Sequence, residues 1–209
     1  MKKMLIILWI LIFSCNVFAG EFKNGKEYIT KNKIISDVPN IIDFFSFFCP
    51  YCYELEKTHN TRYLIKNNVK KNVNIQIYHV NFLGGTLSYI LTKSWIIAQQ
   101  IGIENKVVLP IFEGIQKTHT INNLNNIKKI FEKEAGVNES TFNNFWNSLT
   151  LKILVQKQKQ DIKKSKLEHI PTMLINGKYI IDYSKIEEIF KDSFSQKYIK
   201  LIQFLLNKK

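Results

Sequence analysis

Arginine is almost missing from this chain of 209 residues: Arg62 stands alone among 30 Lys plus Arg. Proteins that read phosphates exploit the bidentate fork of arginine, so the formal charge of +13 does not mark a nucleic-acid partner. It reads as a solvated lysine coat. With only 8 glycines and 4 prolines, the chain is neither collagen-like nor low in complexity. A hydrophobic share of 45% with 13% aromatics excludes wholesale disorder. Cysteine is scarce as well, three in all, at Cys15, Cys49 and Cys52. Neither an internal repeat nor a linker between independent domains is visible.

The first nineteen residues are set apart from the rest. Lys2 and Lys3 precede an unbroken apolar run from Met4 to Phe13, and Val17-Phe18-Ala19 supplies small residues at the minus three and minus one positions of a signal-peptidase site. The run is shorter than the roughly 20 residues a bilayer span needs. Residues 1–19 therefore read as a cleavable signal peptide, and Phe13 is too large for a lipoprotein cleavage site at Cys15. Removing Lys2 and Lys3 leaves 28 positive and 17 negative residues, a net +11.

The exported part holds two cysteines, both in one Cys49-Pro50-Tyr51-Cys52 unit. A loop that short constrains little chain, so the pair is no structural staple. In an oxidising compartment the C-x-x-C spacing suggests redox chemistry. A zinc site would need two more ligands, and His59, His79, His119 and His169 are scattered singly, so no metal is expected. His79 and His119 read as structural or surface groups.

The pattern around the motif predicts its setting. Asn40 to Phe48 is a nearly continuous apolar run of strand length, suited to a strand buried on both faces. Pro50 fits the first turn of a helix, whose apolar face of Leu55, Tyr63 and Leu64 runs to Asn67-Asn68. Val73, Ile75 and Ile77 alternate into a second strand, and a short earlier strand is expected near Tyr28 to Thr30. From Thr86 to about Lys166 the periodicity is helical throughout, too long for a mere crossover. Residues 83–158 are thus an inserted all-helical subdomain, within an α/β domain made of 20–82 and 159–209. Two apolar runs joined by Asn176-Gly177 predict a hairpin, and Ser184 with Glu187 a capping box before the last helix.

At the start of a helix, Cys49 faces the free backbone N–H groups and the positive end of the macrodipole, which favours its thiolate. Cys52 lies one turn on and inward. Cys49 is therefore the sulfur that partners attack, and Cys52 the resolving thiol.

Phe44-Phe45-Ser46-Phe47-Phe48-Cys49-Pro50-Tyr51-Cys52-Tyr53, Tyr78-His79-Val80-Asn81-Phe82, Phe112-Glu113-Gly114 and Pro171 with Asn176-Gly177-Lys178-Tyr179 occur in this order along the chain. Together they resemble the DsbA family of periplasmic thiol:disulfide oxidoreductases. The resemblance implies a thioredoxin fold with a helical insertion, no cofactor beyond the Cys49–Cys52 disulfide, and a monomer. It further implies that exported, unfolded proteins with free thiols are the substrates, and that a DsbB-type quinone-linked membrane partner restores the disulfide. Pro171 matches the family's cis-proline, Ile170 would pair its backbone with an extended substrate peptide, and Phe48 would border the peptide groove. Asp43 matches a buried acid that exchanges protons with Cys52, its pKa raised by an apolar strand.

Three positions depart from the family. Tyr51 replaces a histidine between the cysteines and cannot place positive charge beside Cys49. Ile77 stands where a lysine accompanies the buried acid, leaving Asp43 without that partner. His169 stands where a glycine is expected beside Pro171; either it approaches Cys49 and replaces part of the lost charge, or it is a solvated loop histidine. The rival readings are a reductase or isomerase of the same fold and a peptide-binding, chaperone-like module in which the thiols are incidental.

Overall fold

The structure is a computed structural model that describes residues 22–208; the expected signal peptide and Cys15 lie outside the described residues. Its α/β architecture has the expected order. After a short strand β1 (Ile29–Thr30) come β2 (Ile41–Phe45), helices α1 (Pro50–His59) and α2 (Thr61–Asn68), and β3 (Ile75–His79). Five helices follow: α3 (Gly85–Gln100), α4 (Glu104–Gln116), α5 (Leu124–Ala135), α6 (Glu139–Trp146) and α7 (Leu149–Ser165). The chain closes with β4 (Thr172–Ile175), β5 (Tyr179–Asp182), α8 (Tyr183–Phe190), a 3-10 turn at Lys191–Ser193 and α9 (Phe194–Asn207).

Among the described residues the strands form one mixed sheet in the order β1-β5-β4-β2-β3. Only β2 and β3 run parallel, with Phe45 opposite His79. On its other side β2 pairs antiparallel with β4, Phe44 opposite Thr172. All five residues of β2 are buried, as its unbroken apolar run foretold, and they divide the interior by alternation. Ile42 and Phe44 meet Leu174 and, from α7, Ile162. On the opposite face Ile41 belongs with Met173, Ile181 and the helices α8 and α9, while Phe45 joins the core of α3 to α6.

The β4–β5 turn is the hairpin that Asn176-Gly177 predicts. Both residues have positive φ, 50° and 62°. Gly177 is required twice over, because a Cβ there would stand 2.1 Å from the Ile35 carbonyl oxygen.

Several boundaries differ from those read in the sequence, each for a local reason. β2 stops at Phe45, because the Cys49 N–H turns back to the Ser46 carbonyl at 3.0 Å and the Phe48 N–H to the Ser46 hydroxyl at 3.2 Å. The single helix expected after Pro50 is broken at Asn60, which adopts φ 46°, and the break leaves Tyr63 exposed. The first residue of the last helical segment is Tyr183, not the position after a Ser184 cap: the Asp182 carboxylate accepts the Ser184 N–H at 3.1 Å and the Ser184 hydroxyl at 2.6 Å. Glu187 is thereby free for another task. Lys191, at φ 44°, divides that segment into α8 and α9.

The inserted helices are started by side chains, Asn123 before α5, Asn138 before α6 and Ser148 before α7, each accepting the N–H three residues on. α7 runs unbroken past residue 158. Its first turns pack Leu151 into the helical core, and its later turns dock on β3, where Gln158 donates to the His79 carbonyl at 2.7 Å and Asp161 accepts the Tyr78 hydroxyl at 2.7 Å. No helix among the described residues is long and apolar enough to cross a membrane.

Candidate active site

The turn after β2 delivers Cys49 as the N-cap of α1, with extended backbone (φ −91°, ψ 112°) and Pro50 at the first helical position. Its Sγ accepts the Cys52 N–H at 3.1 Å. Both thiols are buried, Cys49 at 7% exposure and Cys52 at 2%. Their acidities are driven apart. A hydrogen bond from the Cys52 thiol lowers the Cys49 pKa to about 7 against the cost of burial, helped by the N–H groups of Cys52 and Tyr51 and by the Arg62 charge. Burial, with the Cys49 thiolate alongside, pushes Cys52 far above the ordinary thiol range. The expected division into an attackable and a resolving sulfur thus has a physical basis.

Beneath the thiols lies a set of charges and phenols that the apolar sequence around them conceals. Asp43, on the same face of β2 as Phe45, is 3% exposed, and burial raises its pKa to about 6 despite the Arg62 charge and a hydrogen bond of 3.0 Å from the Tyr183 hydroxyl. The Tyr198 hydroxyl backs Tyr183 at 2.5 Å. Asp43 has a cationic companion from a position the sequence reading did not consider. Ile77 supplies none, but Arg62 does: it is buried, donates to Glu56 at 2.6 Å and stacks with its guanidinium carbon 4.0 Å from the Phe45 ring centroid.

Tyr51 turns away from the sulfur. Its hydroxyl donates to the Glu187 carboxylate and approaches the Tyr183 carbonyl at 3.2 Å, while the other Glu187 oxygen faces His59 Nε2 at 3.3 Å. Burial and Glu187 push the phenol well above its usual pKa, so Tyr51 stays neutral. His169 does not take over the missing charge either. Its Nε2 pairs with the Asp182 carboxylate at 3.3 Å on a half-exposed ring, which directs it to the cap of α8; the cation felt at Cys49 is Arg62.

The peptide bond between Ile170 and Pro171 is cis, and the register of Thr172 against Phe44 brings this loop alongside the end of β2, next to the cysteine turn. Phe48 is half-buried, with its ring on Gly84: a Cβ at Gly84 would lie 2.2 Å from that ring, and the φ of 84° there also calls for glycine. From the helical side, Gln116 of α4 donates to two carbonyls of the turn, Phe47 at 2.8 Å and Cys49 at 3.1 Å. His79 is structural, as expected: fully buried, stacked on Phe47, bonded to Thr92 at 2.9 Å and held neutral by burial, which lowers its pKa to about 3. His119 sits in a loop on the Ile115 carbonyl at 2.9 Å. No group of three or more His, Cys, Asp or Glu among the described residues could hold a metal ion.

A family model described as a DSBA-like thioredoxin domain matches residues 40–192. The chain belongs to the DsbA-like family. It is 72% identical over 209 residues to the thiol:disulfide interchange protein DsbA of Buchnera aphidicola from Acyrthosiphon pisum, covering all of this chain and 99% of that one. To DsbA of Escherichia coli K12 it is 35% identical, with both chains fully covered. Among solved structures, DsbA of Klebsiella pneumoniae superposes with a TM-score of 0.82 at 27% identity, covering 91% of this chain and all of that one. A Proteus DsbA variant carrying a non-covalently bound peptide gives 0.81 at 29% identity, covering 90% and 100%. Like its DsbA relatives, the chain is a thiol:disulfide oxidoreductase with a DsbA-like thioredoxin fold.

Sequence reading missed Glu56, Arg62, Glu187 and Gln116 as members of this DsbA-like site. One signal was available. Glu56 follows Cys52 by four residues, hence lies on the same face of α1, and a carboxylate on that inward face demands a buried partner.

Proposed function

We propose that the chain is a monomeric periplasmic dithiol oxidase that passes its Cys49–Cys52 disulfide to newly exported proteins, with no cofactor other than that disulfide. The observation carrying this reading is Cys49 at the N-cap of α1, its Sγ accepting the Cys52 N–H at 3.1 Å, within a DsbA-like fold. A substrate thiolate attacks Cys49 Sγ, the Cys49–Cys52 bond breaks, and Cys52 leaves as a thiolate that takes a proton from the buried Asp43. The substrate's second thiolate then attacks the substrate sulfur of the mixed disulfide and expels Cys49 as a thiolate, a good leaving group because its pKa is low. Two electrons pass from the substrate dithiol to the enzyme. A DsbB-type quinone-linked membrane protein removes them again.

The extended substrate lies along the Ile170–Pro171 backbone, with Phe48 at the groove margin, an arrangement supported by the adjacency of β4 and the cysteine turn. Pro50 and Tyr51 set the start of α1 and so tune the sulfur. Periplasmic location rests on the signal-like residues 1–19, and mature protein recovered from a periplasmic extract should begin at Gly20.

Equilibration with glutathione tests the main reading. An oxidase lies well above the potential of thioredoxin, about −270 mV, and rapidly oxidises a reduced multi-thiol protein. A value near that of thioredoxin would instead establish the reductase or isomerase, a reading favoured by one observation: Tyr51 binds the anionic Glu187 and brings no positive charge to the sulfur. Retention of peptide-dependent folding activity in a Cys49→Ser, Cys52→Ser variant would establish the chaperone-like module.

A further inference from the structure

The chain carries one arginine and spends it in the interior. Arg62 is 3% exposed, donates through one terminal nitrogen to Glu56 at 2.6 Å, and has its guanidinium carbon 4.0, 5.7 and 5.9 Å from the ring centroids of Phe45, Trp95 and Phe112. Its Nε has no hydrogen-bond partner. A buried ion pair is a poor route to stability, because desolvating both charges offsets their attraction and an apolar pair of similar volume does as well or better. With so many surface lysines available, a buried arginine with an unsatisfied nitrogen is a costly choice for packing alone. Its surroundings supply the reason. Phe45 shares its strand face with Asp43, Glu56 shares its helix face with Cys52, and the guanidinium lies within electrostatic reach of Asp43 and both sulfurs.

We propose that Arg62 is a positioning residue for thiol–disulfide exchange: its guanidinium, clamped by Glu56 and the Phe45 ring, is the fixed positive charge that stabilises the reduced site, in a chain whose Tyr51 and His169 bring none to Cys49. Through it the thiolate of Cys49 and the carboxylate of Asp43 are favoured without any cation at the protein surface, where salt would screen it. Burial works against its charge, and Glu56 first, then Asp43, keep it protonated. The neutral His79 is consistent with this field, since burial and Arg62 both disfavour its imidazolium.

This inference rests on the exchange reading of Cys49–Cys52, and the test separates the two. The reduced protein is titrated by thiolate absorbance and the glutathione equilibrium is measured for wild type, for Glu56→Gln with Arg62→Met, and for Glu56→Gln alone. The double variant removes the Glu56–Arg62 pair as a unit, leaves Asp43 able to take up a proton, and should keep the wild-type fold, read by denaturation of the oxidised form. Its Cys49 pKa should rise by roughly half a unit or more, and its equilibrium with glutathione should shift at least about threefold toward the disulfide. Glu56→Gln alone unmasks the guanidinium and should move Cys49 the other way, which keeps the test decisive even if the double variant does not fold. Arg62→Lys should hold the Cys49 pKa near wild type while lowering stability, because lysine keeps the charge and loses the stacking. A Cys49 pKa unmoved by both Glu56→Gln and the double variant overturns the role of Arg62. Failure of the wild type itself to exchange with glutathione would overturn the exchange reading instead.

Discussion

The core between α5 and α6 and the interior beneath the cysteines are similarly buried and differently made. In the first, Ile127, Phe131 and Phe142 are fully buried, and the two phenylalanine rings meet edge to face at 5.0 Å. In the second, Asp43, Glu56, Arg62, Tyr183 and Tyr198 are buried within the same fold. The apolar core supports the architecture and responds to lost volume. The polar interior is costly to assemble and responds to protons, which is what a thiol pair requires of its surroundings.

This contrast breaks most visibly if Phe142 is cut to alanine. The cavity should cost about 3–5 kcal/mol of unfolding free energy by denaturant titration, while the Cys49 pKa stays at its wild-type value. A shift in Cys49 would show that the two regions are not separable.

Next in size is the ionisation of Asp43. In the unfolded chain it loses its proton near pH 4, in the fold at about 6, so its contribution to stability is complete below pH 4 and is lost as pH rises through 6. The Asp43→Asn variant has no such loss. Compared in the oxidised form, where the thiols do not titrate, wild type should fall behind Asp43→Asn by up to about 3 kcal/mol between pH 4 and pH 7. A pH-independent difference would place the carboxylate in water.

For Cys49 the sign is opposite. Its folded pKa of about 7 lies below the unfolded value, so the reduced protein gains stability as pH rises from 7 toward 9, by up to about 2–3 kcal/mol, and loses it as pH falls through 7. The oxidised protein lacks that thiol. The stability of the reduced form relative to the oxidised form should therefore rise across this window, and parallel curves would deny the thiolate its special stability.

The smallest effect sharpens the comparison at its border. Tyr51→Phe removes the hydrogen bond to Glu187 and should cost about 1 kcal/mol. It takes no positive charge from the site, so the potential should stay within about threefold of wild type in the glutathione equilibrium. A larger displacement would make the Tyr51 hydroxyl an electrostatic participant.

Much of this division could be read from the amino-acid order. The buried strand over Ile41–Phe45, the Pro50 helix start, the helical stretch and the Asn176-Gly177 hairpin are each signalled by a local pattern with a local cause. The polar interior is not local. Arg62 sits eight residues before Lys70 in a lysine-rich chain, and its burial depends on a left-handed Asn60 that reorients α2, a conformation no periodicity announces. His169 illustrates the converse. Its neighbour in sequence, Pro171, pointed it at the sulfur, whereas the carboxylate that captures it, Asp182, arrives through the β4–β5 hairpin.

The Gln116 amide grips the turn at two points, the carbonyls of Phe47 and Cys49, from the middle of the inserted helices. In mechanical terms this makes the insertion a splint. A displacement of α4 against the sheet pulls on the Phe47–Phe48 and Cys49–Pro50 peptide units, so a load applied to the inserted helices reaches the backbone of the reactive cysteine directly.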